Sequence, residues 1–262
     1  MSDIKIAILR MEGTNNEAEV YRAFASLGAI PEYIHIKQLE NKEASLEEFQ
    51  GIFIPGGFSA GDYVRAGVIF GKRLMKSSSV ELRAFIEEKK PVIGTCNGFQ
   101  ILSEMGLLPD VDGNANRSMV LSVNKSGKFE CRTTYIRFTN KNPVLGKVME
   151  RGMIIQAPVA HKEGQIKFID GKTLDDILQN DQVIFKYTNA DGTSDSYPWN
   201  PNGSVHSIAG LSNPQGNVIG LMPHPERSFD SFNMSGRERE GNLSSGRIFY
   251  GSIIKYIQDK SI

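Results

Sequence analysis

Pro91-Val92-Ile93-Gly94-Thr95-Cys96-Asn97-Gly98-Phe99-Gln100-Ile101-Leu102 joins a short apolar run to a helical pattern, with a cysteine at the joint. Phe99, Leu102 and Met105 fall on one side of that helix, Ile101 and Leu108 widen the face, and Gly106 ends it. Strand, sharp turn and helix in this order outline a nucleophile elbow, with cysteine in the place of serine. Gly94 and Gly98 leave room for the turn, because a Cβ at either place would crowd the neighbouring backbone. A sulfur at a helix N-terminus faces the positive end of the macrodipole, which favours the thiolate. A buried structural cysteine is the plainer reading. The elbow alone leaves both open.

Upstream, strands and helices alternate. Ile4 to Leu9 reads as an apolar strand, and Thr14-Asn15-Asn16-Glu17 has the form of a capping box before a helix face of Val20, Tyr21, Phe24 and Leu27. Gly28 closes that helix, Pro31 to Ile36 offers a second strand, and Gly51 to Pro55 a third that enters the turn Gly56-Gly57-Phe58-Ser59. Ser78 and Glu81 suggest a capped helix carrying Leu82, Phe85 and Ile86. Repeated βα units with near-continuous apolar strands predict an α/β fold whose mostly parallel central sheet is covered on both faces. Ligands in such sheets sit beyond the carboxyl ends of the strands, where Gly57 and Cys96 both fall.

Downstream of Gly106 the texture changes to antiparallel strands. Met119–Val123 and a run from Phe129 to Phe138 read as strands joined through residues 124–128, followed by short strands at Met153–Ile155, Val183–Tyr187, Ile208–Leu211 and Val218–Met222. Residues 189–204 form a long turn-rich loop, 230–245 a polar segment expected to be mobile, and the last helix carries Tyr250, Ile253, Ile254 and Ile257. Neither a repeat nor a linker-like break interrupts the chain, so one domain over 1–262 is expected.

Composition narrows the function classes. The 262 residues carry 30 basic and 30 acidic side chains, well mixed, which gives no electrostatic footprint for nucleic acid. Two cysteines, Cys96 and Cys131, make no disulfide framework and fit a reducing cytosol. The first residues run directly into a strand without a signal h-region, and no apolar run reaches spanning length. A cytoplasmic location is expected, and no metal-ligand pattern stands out.

Of four histidines, His35 sits in a strand and is most simply a packing or surface residue, whereas His224 follows an apolar strand within Pro223-His224-Pro225-Glu226. Two prolines would keep this segment extended, which puts His224 and Glu226 on one face. An imidazole held by a carboxylate is the base of a triad, so Cys96 is read as nucleophile, His224 as base and Glu226 as its orienter. A lone His-Pro is otherwise a surface turn. Acyl transfer also needs donors for an oxyanion. The amide of Asn97 is one candidate and that of Gly57 a second, although Pro-Gly-Gly also suits a plain tight turn. Gly57-Phe58-Ser59-Ala60-Gly61 matches the serine elbow G-x-S-x-G, but no strong apolar helix face follows it. Gly171-Lys172-Thr173 has Ile166 where a P-loop needs its first glycine.

These residues together resemble the class I (triad) glutamine amidotransferases, and within them the glutaminase subunits of phosphoribosylformylglycinamidine synthase. The resemblance runs through residues 55–59, Gly61-Asp62-Tyr63, Arg65-Ala66-Gly67 and Gly94 to Gln100. It continues at Lys128 to Arg132, Pro158-Val159-Ala160-His161, Asn202-Gly203-Ser204, Ile208-Ala209-Gly210 and Met222 to Arg227. It implies a flavodoxin-like sheet and a γ-glutamyl thioester on Cys96, with His224 and Glu226 as its partners and the Gly57 and Asn97 amides as oxyanion hole. Phe58, Gln100 and His161 would contact substrate, and the 124–132 hairpin would face substrate or partner. Ammonia would pass to a separate synthetase subunit, which would hold the ATP and magnesium this chain does not, with a small accessory subunit as a further partner. Glutaminase activity without that synthetase would be weak. Lys162 replaces an expected glycine, and the 189–204 and 230–245 loops are longer than in compact members. Other readings are an amidotransferase for a different acceptor, a G-x-S-x-G hydrolase, or a relative of the PfpI-type peptidases, where a histidine usually follows the cysteine instead of Asn97.

Overall fold

The computed structural model describes residues 3–230 and 244–260. In chain order, β1 (Lys5–Arg10), α1 (Glu17–Ala25), β2 (Ile30–His35), α2 (Ile36–Glu40), β3 (Gly51–Ile54), α3 (Val68–Glu87), β4 (Val92–Thr95) and α4 (Asn97–Glu104) form the alternating half. β5 (Met119–Val123), β6 (Glu130–Phe138), β7 (Ile154–His161), β8 (Glu163–Phe168), α5 (Gly171–Gln179), β9 (Val183–Thr188), β10 (Ile208–Ser212), β11 (Val218–Leu221) and α6 (Ser245–Lys260) follow.

Nine strands make one sheet in the order β2-β1-β3-β4-β11-β10-β9-β6-β7, and β5 pairs with β8 beside it. Pairing is parallel from β2 through β11 and antiparallel from β11 through β7. The strand β11 is therefore the seam: it comes late in the chain but inserts next to β4, in parallel register from Val218↔Val92 to Leu221↔Thr95.

The apolar strands are covered on both faces because alternate side chains enter different cores. Ile6, Ile8, Phe53, Ile93, Ile219 and Leu221 join the cluster under α1 and α6. Ala7, Leu9, Ile52, Ile54, Val92 and Val218 join the one under α3 and α4. Burying a branched aliphatic or phenylalanine side chain contributes about 1.5–3 kcal/mol, so β1, β3, β4 and β11 are held from two directions, while the edge strand β2 leaves Ile30 and Tyr33 exposed.

Several local expectations change in three dimensions. Thr14 does not cap α1: its Oγ1 accepts from the Met11 amide at 3.2 Å, and the N-cap is Asn16. Ser78 starts no helix but marks a kink inside α3 (φ −140°, ψ 21°). The Glu81 carboxylate that would complete its cap instead accepts from Leu46 N at 2.9 Å. His35 closes β2 and caps α2, accepting from Lys37 N at 3.2 Å. β5 and β6 do not pair with each other; β5 takes β8, while β6 lies between β7 and β9. The 124–132 hairpin is thus a crossover between two sheets. Gly171-Lys172-Thr173 opens α5, capped by Asp170 through Thr173 N at 2.7 Å. Of the segment 230–245, residues 231–243 lie outside the described residues. Among the described residues no helix is long and apolar enough to cross a membrane.

Candidate active site

The site forms where β4 and β11 end side by side. Cys96 is one residue past β4, and its amide donates to Leu221 O at 2.8 Å, so the two strand ends are locked together. The cysteine has φ 50° and ψ −107°, a conformation that costs about 1–3 kcal/mol for a non-glycine residue. The strain is maintained from both sides. A Cβ on Gly98 would overlap the Ile54 carbonyl oxygen, and one on Gly94 would stand 2.6 Å from the Gly98 carbonyl carbon. Only glycine at these places lets α4 start this close to β3.

Three residues past the end of β11 comes His224. Its amide donates to Pro158 O at 2.8 Å, which ties it to β7. The segment after it is not extended: Pro225–Ser228 makes a 3-10 turn with His224 as its N-cap. Proline at the first turn position supports this, since its missing N–H would have no partner there. The turn still delivers the expected pair, with His224 Nδ1 2.7 Å from Glu226 Oε1 and both side chains buried. Because an ionised carboxylate only accepts, Nδ1 donates and Nε2 is the nitrogen left for chemistry. Nε2 has no hydrogen bond among the described residues.

Cys96 and His224 meet at Gly56, where a Cβ would be 2.6 Å from His224 Cε1 and 3.3 Å from Cys96 Cβ. The Cys96 sulfur lies 3.7 Å from Ala160 O. Burial favours neutral His224, but the charges of Glu226 and Cys96 outweigh it and raise the imidazole to about 10. The site therefore stabilises an imidazolium between a carboxylate and a sulfur.

Gly57 and Asn97 flank the same spot. Gly57 has φ +146° and a Cβ there would be 2.6 Å from Gly13 O, so the position excludes any side chain. It forms an isolated bridge with Thr14, whose hydrogen bonds run from Phe58 N to Gly13 O and from Asn15 N to Gly56 O. These bonds bracket Gly57 and leave its own amide outside the ladder. Asn97 is the first residue of α4, where backbone amides have no partner within the helix. Its side chain joins the loop to the helix: Oδ1 accepts from Ser59 N at 3.2 Å, and Nδ2 donates to Gln100 Oε1 at 2.9 Å. Gln100 Nε2 donates to Glu163 O at 2.6 Å, so Gln100 fastens α4 to the β7–β8 corner.

His161 lies at that corner with 2% exposure. Asn124 Nδ2 donates to Lys128 O and His161 O, both at 2.9 Å, and its Oδ1 accepts from Gly164 N at 3.1 Å. With the amide so oriented, His161 Nδ1 donates to Oδ1 at 3.1 Å, and Nε2 presents a buried lone pair that no donor meets among the described residues. Burial, then the charge of His224, lower this imidazole to about 3, so it stays neutral.

Phe58 is half exposed and stacks on Phe129 at 6.4 Å between ring centroids. Tyr63 and Val64 beside it are 77% and 85% exposed, an unusual concentration of apolar surface at one rim. Asp62, from the same loop, is raised to about 6 by burial and then by the Glu163 carboxylate. Ser59 of the G-x-S-x-G match is buried, and its Oγ has no hydrogen bond among the described residues.

Sequence reasoning gave no individual role to Asn124, placed only within the 124–132 hairpin, to Ala160, quoted only beside His161, or to Tyr187. Tyr187 is fully buried, its hydroxyl accepts from Asn202 Nδ2 at 3.1 Å, and burial, the Cys96 charge adding to it, raises its phenol. None lies near Cys96 in the chain, so nothing in the sequence ties any of them to the sulfur. The turn-rich loop 189–204 is anchored through Asn202, which also donates to Gly164 O at 2.7 Å.

Residues 3–257 match the profile of the CobB/CobQ-like glutamine amidotransferase domain. A protein of Picrophilus torridus named phosphoribosylformylglycinamidine synthase subunit PurQ is 48% identical over 250 residues, covering 95% of this chain and 97% of the relative. One of the same name from Archaeoglobus fulgidus is 40% identical over 269 residues, covering 98% of each. Among solved structures, a chain from the PurLQS structure of Thermotoga maritima superposes with a TM-score of 0.74 at 31% identity, covering 97% of this chain and 99% of that one. Family profile, relatives and fold thus agree over almost the full length, and the chain belongs to the CobB/CobQ-like glutamine amidotransferase family.

Proposed function

We propose that this chain is the glutaminase subunit of a phosphoribosylformylglycinamidine synthase, releasing ammonia from glutamine for a partner synthetase. The observation that carries the proposal is the strained Cys96 facing a buried His224–Glu226 pair across two parallel strand ends. In this reading the Cys96 thiolate attacks the side-chain amide carbon of glutamine, and the Gly57 and Asn97 amides hold the oxyanion. Collapse breaks the C–N bond as His224 gives its Nε2 proton to the departing nitrogen. Water then adds to the thioester, passing a proton to the same Nε2, and the second collapse frees glutamate and regenerates the thiolate.

His161 Nε2 accepts a hydrogen bond from the substrate amide or the departing ammonia, and with the ring neutral and its proton on Nδ1, that nitrogen has none to return to the ammonia. Gln100 orients Asn97 and uses its remaining hydrogen for substrate, while Phe58 forms the rim. The carboxylates of Asp62 and Glu163 suit the α-ammonium of an amino acid. The exposed Phe58, Tyr63, Val64 and Phe129 form the face that the synthetase covers, with ATP and magnesium bound on that partner and an accessory subunit completing the complex. Two free thiols, Cys96 and Cys131, suit a cytoplasmic location.

The test is co-purification with candidate synthetases and a glutamine-dependent amidine-forming assay. Alkylation of Cys96 by a glutamine-like electrophile, prevented by glutamine, should accompany it. A complex that forms the amidine from glutamine equally well with Cys96→Ala would end the proposal.

A further inference from the structure

Among the buried polar atoms near the triad that lack partners among the described residues are one on Glu226 and one on Tyr250, and the turn and helix that carry them are packed together. Glu226 Oε1 takes the His224 proton, while Oε2 has no hydrogen bond among the described residues. The hydroxyl of Tyr250, on α6, is likewise buried and unpaired. Burial, with the Glu226 charge adding to it, keeps the phenol protonated, and the Tyr250 ring meets Phe229, the residue that ends the turn carrying Glu226. A carboxylate has acceptor capacity on both oxygens, a neutral phenol has one proton to give, and leaving either unpaired in the interior is costly.

The ring itself cannot move away. Tyr250 packs edge-on to Phe24 at 4.9 Å, Phe249 at 5.5 Å and Phe229 at 6.0 Å, and stacks on Phe53 at 5.6 Å. The helix is pressed onto the turn that carries Glu226: a Cβ on Gly246 would lie 2.5 Å from Phe229 Cα. Phenylalanine would fill this aromatic cage without burying a hydroxyl, so packing alone does not account for tyrosine here.

We infer that Tyr250 is a positioning residue whose hydroxyl donates to Glu226 Oε2, clamping the carboxylate from the side away from His224. The clamp holds the imidazole with Nε2 toward Cys96. It rests on the triad reading proposed above, and its failure can be told apart from a failure of that reading.

The experiment compares wild type with Tyr250→Phe in the full chain assembled with its synthetase. The control is Tyr256→Phe, which removes another α6 hydroxyl, bonded to Lys89 O at 2.8 Å. Tyr250→Phe should lower kcat about tenfold with KM within about twofold, the loss of one hydrogen bond to a charged group. In a Glu226→Gln background the same change should add nothing. In the full chain alone, the Nδ1-bound proton of His224 seen by NMR should exchange faster with water in Tyr250→Phe and not in Tyr256→Phe. Wild-type kcat with an unchanged His224 proton would overturn the inference, and so would an equal fractional loss in the Glu226→Gln background. If the wild type proved inactive while its His224 proton still responded to Tyr250→Phe, the proposed function would fall and the clamp would stand.

Discussion

Lowering the pH tests His161 directly. Its imidazole is held at about 3 against an ordinary 6.5, by burial first and by the charge of His224 second. A group whose folded value is depressed stabilises the fold fully above its unfolded value and loses that contribution as pH falls through the folded one. The window is therefore about pH 6.5 down to about 3, where the unfolded chain binds a proton that the native site refuses. Taking about pH 4.5 as the working point, the loss relative to about pH 7.5 is about 3 kcal/mol. Urea unfolding of wild type and His161→Asn across this range reads it, since the asparagine amide can still donate to Asn124 Oδ1 and the other titrating groups largely cancel. The wild type's advantage over the variant should shrink by about 3 kcal/mol between the two pH values, whatever its size at neutrality. An advantage constant to within about 1 kcal/mol would refute the argument, because it would mean the imidazole accepts its proton in the native state.

Other outcomes follow from the same geometry. Cys96→Ser should reduce glutamine hydrolysis by about 1,000-fold or more in a steady-state assay while Cys131→Ser changes it little, because only the former sulfur sits at the elbow. Ser59→Ala should leave that activity intact, and a collapse there would revive the serine-elbow reading. Gly57→Ala should both lower the melting temperature and slow electrophile capture by Cys96, since the new Cβ meets Gly13 O in a backbone conformation that disfavours it. Phe58→Asp should weaken co-elution with the synthetase without changing the melting temperature; unchanged assembly would place the docking face elsewhere.

The elbow and the triad spacing were legible in the chain because both are local. Glycines at 94 and 98 around Cys96, an apolar run before and a 3.6-residue pattern after, define a strand–turn–helix whatever surrounds it. His224 and Glu226 are two residues apart, and their side chains hydrogen-bond although the backbone between them is a 3-10 turn and not the extended chain expected. Only tertiary structure put β11 next to β4, and with it His224 beside Cys96, since strand periodicity marks a buried face but names no partner. For the same reason the sequence suggests β6 as the neighbour of β5, which pairs with β8, and suggests Ser78 and Glu81 as a helix-starting cap, whereas Glu81 accepts from Leu46 N of a distant turn. Asn124, which sets the His161 tautomer, is legible only as part of a hairpin, and Tyr250 only as part of the last helix's apolar face; nothing in the sequence names their partners. Their roles exist only because packing closes the distance between residues far apart in the chain.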